Sequence, residues 1–395
     1  MNEPDATLAR SPEPSVTPEP AERIYFPELD GLRFVAFLMV YLFHGGVPSG
    51  VLKQVIGKLA TDVFRDNGGY GVQLFFILSG YLITTLLLRE EARFGRIALG
   101  AFWIRRILRI WPLYYLIVLI GFFLIPGIEG QLGTTGFRET LRIHLLPFLA
   151  FLGNWSMALI RPAADWLSVL WSVCVEEQFY LIVPLFIAFV APRLRRPLVV
   201  GLIAASIGVR WWCAHHYASD LMIVFNTFAQ FDTLLSGVLL ALVMGWDRNR
   251  PTLTRWLRWL QWPMYLVIGW VMTRPRLGEL TPWHRTWDYV WVWMCGLGIV
   301  MIAVWGNGWL RAALSYSRIV WLGKISYGLY MYHEIVLWAR AYLDPWLGWF
   351  PNKEEILAIA TLALTIGLAA ASYYGYERRF LELKKAWTRV PSRPV

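Results

Sequence analysis

The chain has 395 residues, 57% of them hydrophobic and 16% charged, with a formal net charge of +10. A soluble domain carries about 25% charged residues, so this composition, with a mean hydropathy of +0.46, excludes an ordinary soluble protein and indicates a polytopic membrane protein. The positive charge does not point to nucleic acid, because the basic residues lie in short segments between apolar runs.

In chain order, residues 1–24 are rich in Pro, Glu, Ser and Ala and are expected to form a disordered tail. They lack the basic-then-apolar pattern of a signal peptide. A hydropathy reading over a window of about 19 residues then places about ten transmembrane helices. They fall near 28–46, 71–88, 110–126, 166–191, 198–213, 221–245, 259–273, 288–306, 319–341 and 355–377. The segment 144–155 is too short to span and is expected to be re-entrant or interfacial. The predicted fold is all-α, with one transmembrane unit over 25–382 and a basic cytoplasmic tail over 383–395.

An even number of spans puts both termini on one side. The segments on that side hold 23 Lys and Arg against 10 on the other, so the positive-inside rule predicts cytoplasmic termini. Cys174, Cys213 and Cys295 fall in or beside apolar runs without paired spacing, which argues against a disulfide framework or a zinc site.

The predicted first span, GLRFVAFLMVYLFHGG, carries Arg33 near one end and His44 eleven residues later. Even lenient insertion scales charge roughly 2.5–3.5 kcal/mol for an ionisable residue in a span. Eleven residues of α-helix advance about 16 Å and turn through three revolutions plus roughly 20°. The pair is therefore expected to share one face and line one cavity. The plain alternative has Arg33 snorkelling to headgroups and His44 ending the helix before Gly45-Gly46.

Other polar residues intrude into predicted spans: Gln73 and Ser79, then Glu176, Glu177 and Gln178, then Asp232, His333, Glu334 and Glu377. Adjacent glutamates point about 100° apart on a helix and cannot share one partner, so packing alone is a poor account of Glu176-Glu177. The stretch RRILRIWPLYY reads as a loop at the entrance to the third span, with Arg105, Arg106 and Arg109 available to an anion. Arginine's planar fork suits phosphate and keeps its charge.

With these blocks in order, the chain resembles membrane-bound acyltransferase family 3, whose bacterial members modify surface polysaccharides, nodulation factors or macrolides. ELDGLRF…LFHGG resembles the family's opening arginine–histidine motif, with ten residues between the two. GVQLFFILSGYLI, the arginine-rich turn before Pro112, WSVCVEEQFYLIVPL, DTLLSG, ISYGLYMYH and YERRFL resemble its later blocks.

The resemblance implies a multi-pass protein of the bacterial cell membrane that transfers an acyl group, usually acetyl, from cytoplasmic acyl-CoA to a hydroxyl. The implied acceptor is a glycan or a macrolide-like small molecule, with membrane lipid as the surroundings and no metal or nucleic acid. His44, Arg33, Glu176, Ser79 and His333 are the expected catalytic set. His44 would act as base or acyl carrier, and Glu176 would orient it. Arg33, Arg105, Arg106 and Arg109 are expected to hold the CoA phosphates, and Trp171, Ser172, Glu177, Asp232 and Tyr330 to meet substrate.

Val169, Cys174 and Gln230 stand where relatives often have a polar residue, a serine and an arginine. These departures bear on acceptor choice. Some relatives carry a C-terminal SGNH-type hydrolase domain; none is expected here. The competing readings are a transporter of a polar solute and a protein that only passes acyl groups across the bilayer.

Overall fold

The computed structural model describes residues 25–46, 67–245, 250–273, 281–306, 308–347 and 353–390. Among them the regular structure is entirely helical. The expected tail 1–24, the basic loop 53–65 and residues 391–395 of the basic tail lie outside the described residues.

Among the described residues, ten helices have fifteen or more residues. They are α1 (Pro27–Tyr41), α2 (Gly71–Phe94), α3 (Leu99–Leu119), α4 (Leu170–Phe189), α5 (Pro192–His216), α6 (Thr227–Met244), α7 (Pro251–Thr273), α8 (Pro282–Trp305), α9 (Ser326–Leu347) and α10 (Lys353–Ser372). Among the described residues, seven helical stretches are long and apolar enough to cross a membrane; they contain α2, α3, α4, α5, α6, α8 and α10. The other three predicted spans fall on α1, α7 and α9. The first has only 15 residues and carries Glu28, Asp30 and Arg33, and the last carries His333, Glu334 and Arg340.

The arginine-rich stretch is not a loop. After α2 ends on Gly95, whose φ of 68° is in the left-handed region that suits glycine, α3 starts at Leu99. It carries Arg105, Arg106 and Arg109 on its first turns and passes through Pro112 without ending. Pro112 removes one helical hydrogen bond, and side chains from elsewhere reach carbonyls nearby: Tyr327 donates to Ile110 O at 2.9 Å and Tyr376 to Pro112 O at 3.2 Å.

Segment 144–155 does not span. The chain beyond α3 folds back through short helical pieces, Thr135–Thr140, Leu141–Leu145, Leu146–Leu149 and Gly153–Leu159.

The centre of the bundle is α2 against α6: their stretches are the most enclosed of the seven, with 72% and 67% of the apolar window buried. The two backbones touch. A Cβ on Gly80 would sit 2.1 Å from Leu234 O, and one on Gly237 2.2 Å from Ile77 O. Lipid tails are as apolar as leucine, so close packing of small residues takes over much of the work of holding such helices together. Around this pair α1 packs on α2 and on the short helix Ser317–Lys324, α4 on α2, and α9 on α10.

Candidate active site

Helix α1 ends in a wide turn over Leu42–Gly46, with Gly45 at φ 118°. This turn swings His44 across to α9. His44 Nε2 lies 3.3 Å from Glu334 Oε1, and its Nδ1 lies 3.0 Å from Val40 O and 3.2 Å from His333 Nε2. His333, wholly buried, turns its Nδ1 to Tyr330 O at 2.6 Å.

The partners fix the tautomers. A carbonyl only accepts, so His333 carries its proton on Nδ1 and offers a lone pair at Nε2. His44 then carries a proton on Nδ1, facing both Val40 O and His333. Its Nε2 is left opposite Glu334 with one proton to share between them. The donor atoms of His44, His333 and Glu334 lie within 4.8 Å of one another, a set that would also suit a divalent cation. Both nitrogens of His333 and Nδ1 of His44 are already engaged in hydrogen bonds, which favours a proton relay.

His44 lines a cavity of about 220 Å³ together with Val72, Gln73, Val169, Trp171 and Tyr330. Arg33 does not. It lines two smaller hollows of about 120 and 110 Å³, which share Arg33, Ser79, Arg106, Arg109 and Tyr180. Val72 and Tyr330 belong to both the His44 cavity and the adjoining arginine hollow. The expectation of one joint cavity is thus corrected to two chambers with a shared wall. The reason is length: a 16 Å advance exceeds one chamber, and Tyr330 fills the space between. Tyr330 is fixed there by Ser172, at 2.8 Å from its hydroxyl, and by Val169 O at 3.1 Å.

In the arginine hollow, Tyr180 donates to Ser79 Oγ at 3.0 Å, and Ser79 donates to Glu176 Oε1 at 2.5 Å. Glu176 therefore does not orient His44, as the sequence had implied; Glu334 holds the position beside the imidazole. One helical turn separates Glu176 from Tyr180 on α4, so the i, i+4 spacing was the available signal for Tyr180. For Glu334 the signal was its adjacency to His333.

Arg106 lies over the rings of Phe102 and Tyr180, 5.6 and 5.8 Å from their centroids, and its Nε is buried without a hydrogen-bond partner among the described residues. Arg33 meets Asp30 at 3.1 Å, and Lys384 closes the rim. Four cations and the two carboxylates Asp30 and Glu176 leave the hollow net positive.

Other expected site residues lie elsewhere. Arg105 turns away from the hollow, donating to Trp387 O at 2.6 Å and to Glu90 Oε2 at 3.2 Å. It is placed there because consecutive helical residues diverge by about 100°. Glu177 accepts from Trp111 Nε1 at 2.9 Å and lines neither chamber. Asp232 is sealed in the bundle, bound at both oxygens by Arg210 at 2.8 and 2.5 Å and by Trp293 Nε1 at 3.1 Å. Neither Asp232 nor Arg210 has any exposed surface. Trp171 stays in the His44 cavity, edge-on to Phe76 and Phe225, and Ser172 lines the arginine hollow.

Among the described residues, the chain segment that carries Arg33 and His44 thus runs from a cationic chamber to a chamber bordered by paired imidazoles. The chain matches the acyltransferase-domain family Acyl_transf_3 over residues 26–374 and belongs to that family. It is 27% identical over 335 residues to the peptidoglycan O-acetyltransferase OatA of Listeria monocytogenes, a match covering 80% of this chain and 50% of that protein. It is also 27% identical over 382 residues to the O-acetyltransferase OatA of Staphylococcus aureus, covering 91% and 57%. The chain therefore spans about half the length of the curated relatives it matches. No solved structure matches it.

Proposed function

We propose that the chain is a multi-pass O-acyltransferase of the bacterial cell membrane. It moves an acetyl group from cytoplasmic acetyl-CoA to a hydroxyl of a glycan, with its basic-rich ends in the cytoplasm. The observation that carries this reading is the shared wall: Tyr330 separates the cationic hollow of Arg33, Arg106 and Arg109 from the cavity of His44.

The arginines suit the phosphates of CoA, since guanidinium groups bind them with directed, charge-assisted hydrogen bonds. The thioester end would then point toward Tyr330. On the other side the acceptor hydroxyl gives its proton to His44 Nε2 as its oxygen bonds to the acetyl carbon. The C–S bond breaks, and the imidazolium returns the proton to the departing thiolate. A sugar hydroxyl is a weak nucleophile at neutral pH, and general-base help of this kind contributes roughly 10²–10⁴-fold. His333 holds the ring in the required tautomer, as the third member of a triad does. Peptidoglycan, named for the Listeria relative, supports a carbohydrate acceptor over a macrolide.

A second reading is an acyl translocator that passes the group between the chambers without choosing the acceptor. The stacking of two chambers either side of one tyrosine favours it. Purified protein with acetyl-labelled acetyl-CoA tests both. Thioester cleavage that His44→Ala abolishes supports group transfer, and cleavage in the presence of glycan without labelled glycan supports the translocator. An intact thioester under all conditions refutes both readings.

A further inference from the structure

The fold-back between α3 and α4 lines a partly open cavity of about 390 Å³ that the proposed chemistry does not use. Its lining includes His144, a residue 1% exposed. Ser156 Oγ donates to Gly153 O at 2.9 Å, so it accepts from His144 Nδ1, which lies 2.9 Å away. The lone pair of His144 is thereby left at Nε2, which is buried without a hydrogen-bond partner among the described residues. Burial, and then the positive charge of Arg161, push the pKa of this imidazole down. At neutral pH the ring is uncharged and Nε2 can only accept.

An unmet buried acceptor costs on the order of 1–3 kcal/mol, and a hydroxyl group brought into this cavity would remove that cost. A flat apolar wall stands beside it. Trp166 is held by its Nε1 bond to Gly121 O at 3.1 Å and by contact with Trp338, ring centroids 5.9 Å apart. Gln131 and Thr140 add amide and hydroxyl groups to the lining. One stacking face with a few hydrogen-bonding groups suits the apolar face and hydroxyl rim of a sugar ring.

The cavity also adjoins the reaction chamber. Trp166 and Leu167 line it, while the next two residues, Ser168 and Val169, line the chamber of His44. Consecutive helical residues advance about 1.5 Å each, so one helical turn borders both spaces.

We propose that this cavity is a second glycan subsite. It holds the sugar next to the one being acylated, with a ring hydroxyl donating to His144 Nε2 and the ring face on Trp166. The subsite rests on the glycan-acceptor reading given above.

The test uses the full chain in detergent with acetyl-CoA and two acceptors, N-acetylglucosamine and its β-1,4-linked trimer. His144→Asn keeps a donor for Ser156 and removes the acceptor at the Nε2 position. The variant should raise KM for the trimer about 10-fold, the loss of one hydrogen bond, with kcat and the monosaccharide KM unchanged. Trp166→Leu should do the same. Equal effects on both acceptors, or none, overturn the subsite.

If neither sugar is acetylated, equilibrium dialysis with labelled trimer separates the two ideas. Binding that both substitutions weaken supports the subsite while the transfer reading fails; no binding, or binding that neither substitution changes, overturns the subsite.

Discussion

The imidazole of His44 meets that of His333 across 289 positions of sequence, Nδ1 to Nε2 at 3.2 Å. This contact decides which nitrogen of His44 is free to act. With Nδ1 committed to His333 and Val40, only Nε2 is available, and it faces Glu334 at 3.3 Å.

Removal of that nitrogen should stop the chemistry. His44→Ala is expected to lower acetyl transfer by at least ~10²-fold, the lower range for a positioned base, while acetyl-CoA still binds. Glu334→Gln keeps the shape and loses the carboxylate, and should cost less than His44→Ala. A rate assay and a donor-binding isotherm on the same preparations check this. Unchanged turnover in His44→Ala would end the assignment.

The neighbouring arginines should separate cleanly. Arg106, held by ring faces and open to the hollow, should on change to Ala weaken acetyl-CoA binding, by about 1.5–3 kcal/mol for a hydrogen bond to a charged group. Arg105→Ala should leave donor affinity intact and lower the melting temperature, because Glu90 and the Trp387 carbonyl lose a donor. Equal effects on affinity would show that the two side chains share one task.

Asp232 is expected to matter for stability and not for acceptor choice. Asp232→Asn leaves Arg210 buried with a neutral partner, and breaking a buried ion pair costs roughly 3–5 kcal/mol. Thermal unfolding in detergent should show the loss. A variant with normal stability and altered acceptor preference would contradict the sealed geometry.

Gly237→Ala should disrupt the α2–α6 contact. The new methyl would meet Ile77 O at 2.2 Å, and backbone cannot step aside as a flexible side chain can. Overpacking of this kind typically costs 1–3 kcal/mol; a yield of folded protein equal to wild type, read by size-exclusion profile, would refute it.

Hydropathy and charge were enough to read an all-helical membrane architecture, because apolar runs and basic connections follow from the cost of placing charge in lipid. The order of the motif blocks was enough to read the family, which the match over residues 26–374 shows. Helix starts were harder. The run Arg105–Arg109 reads as a loop by charge, yet it is helical, because its charges face Glu90, the hollow and aromatic rings instead of lipid.

Sequence alone thus determined that ionisable residues sit where lipid would reject them. Only tertiary structure decided their partners. Glu176 was the expected companion of His44, yet Glu334 holds that place, and Asp232, expected to meet substrate, is sealed against Arg210. Which carboxylate meets which cation depends on helix rotation and crossing, and these are set by contacts such as Gly80 and Gly237 against opposing backbone. Contacts of that kind join residues far apart in the chain, and no local pattern of residues encodes them.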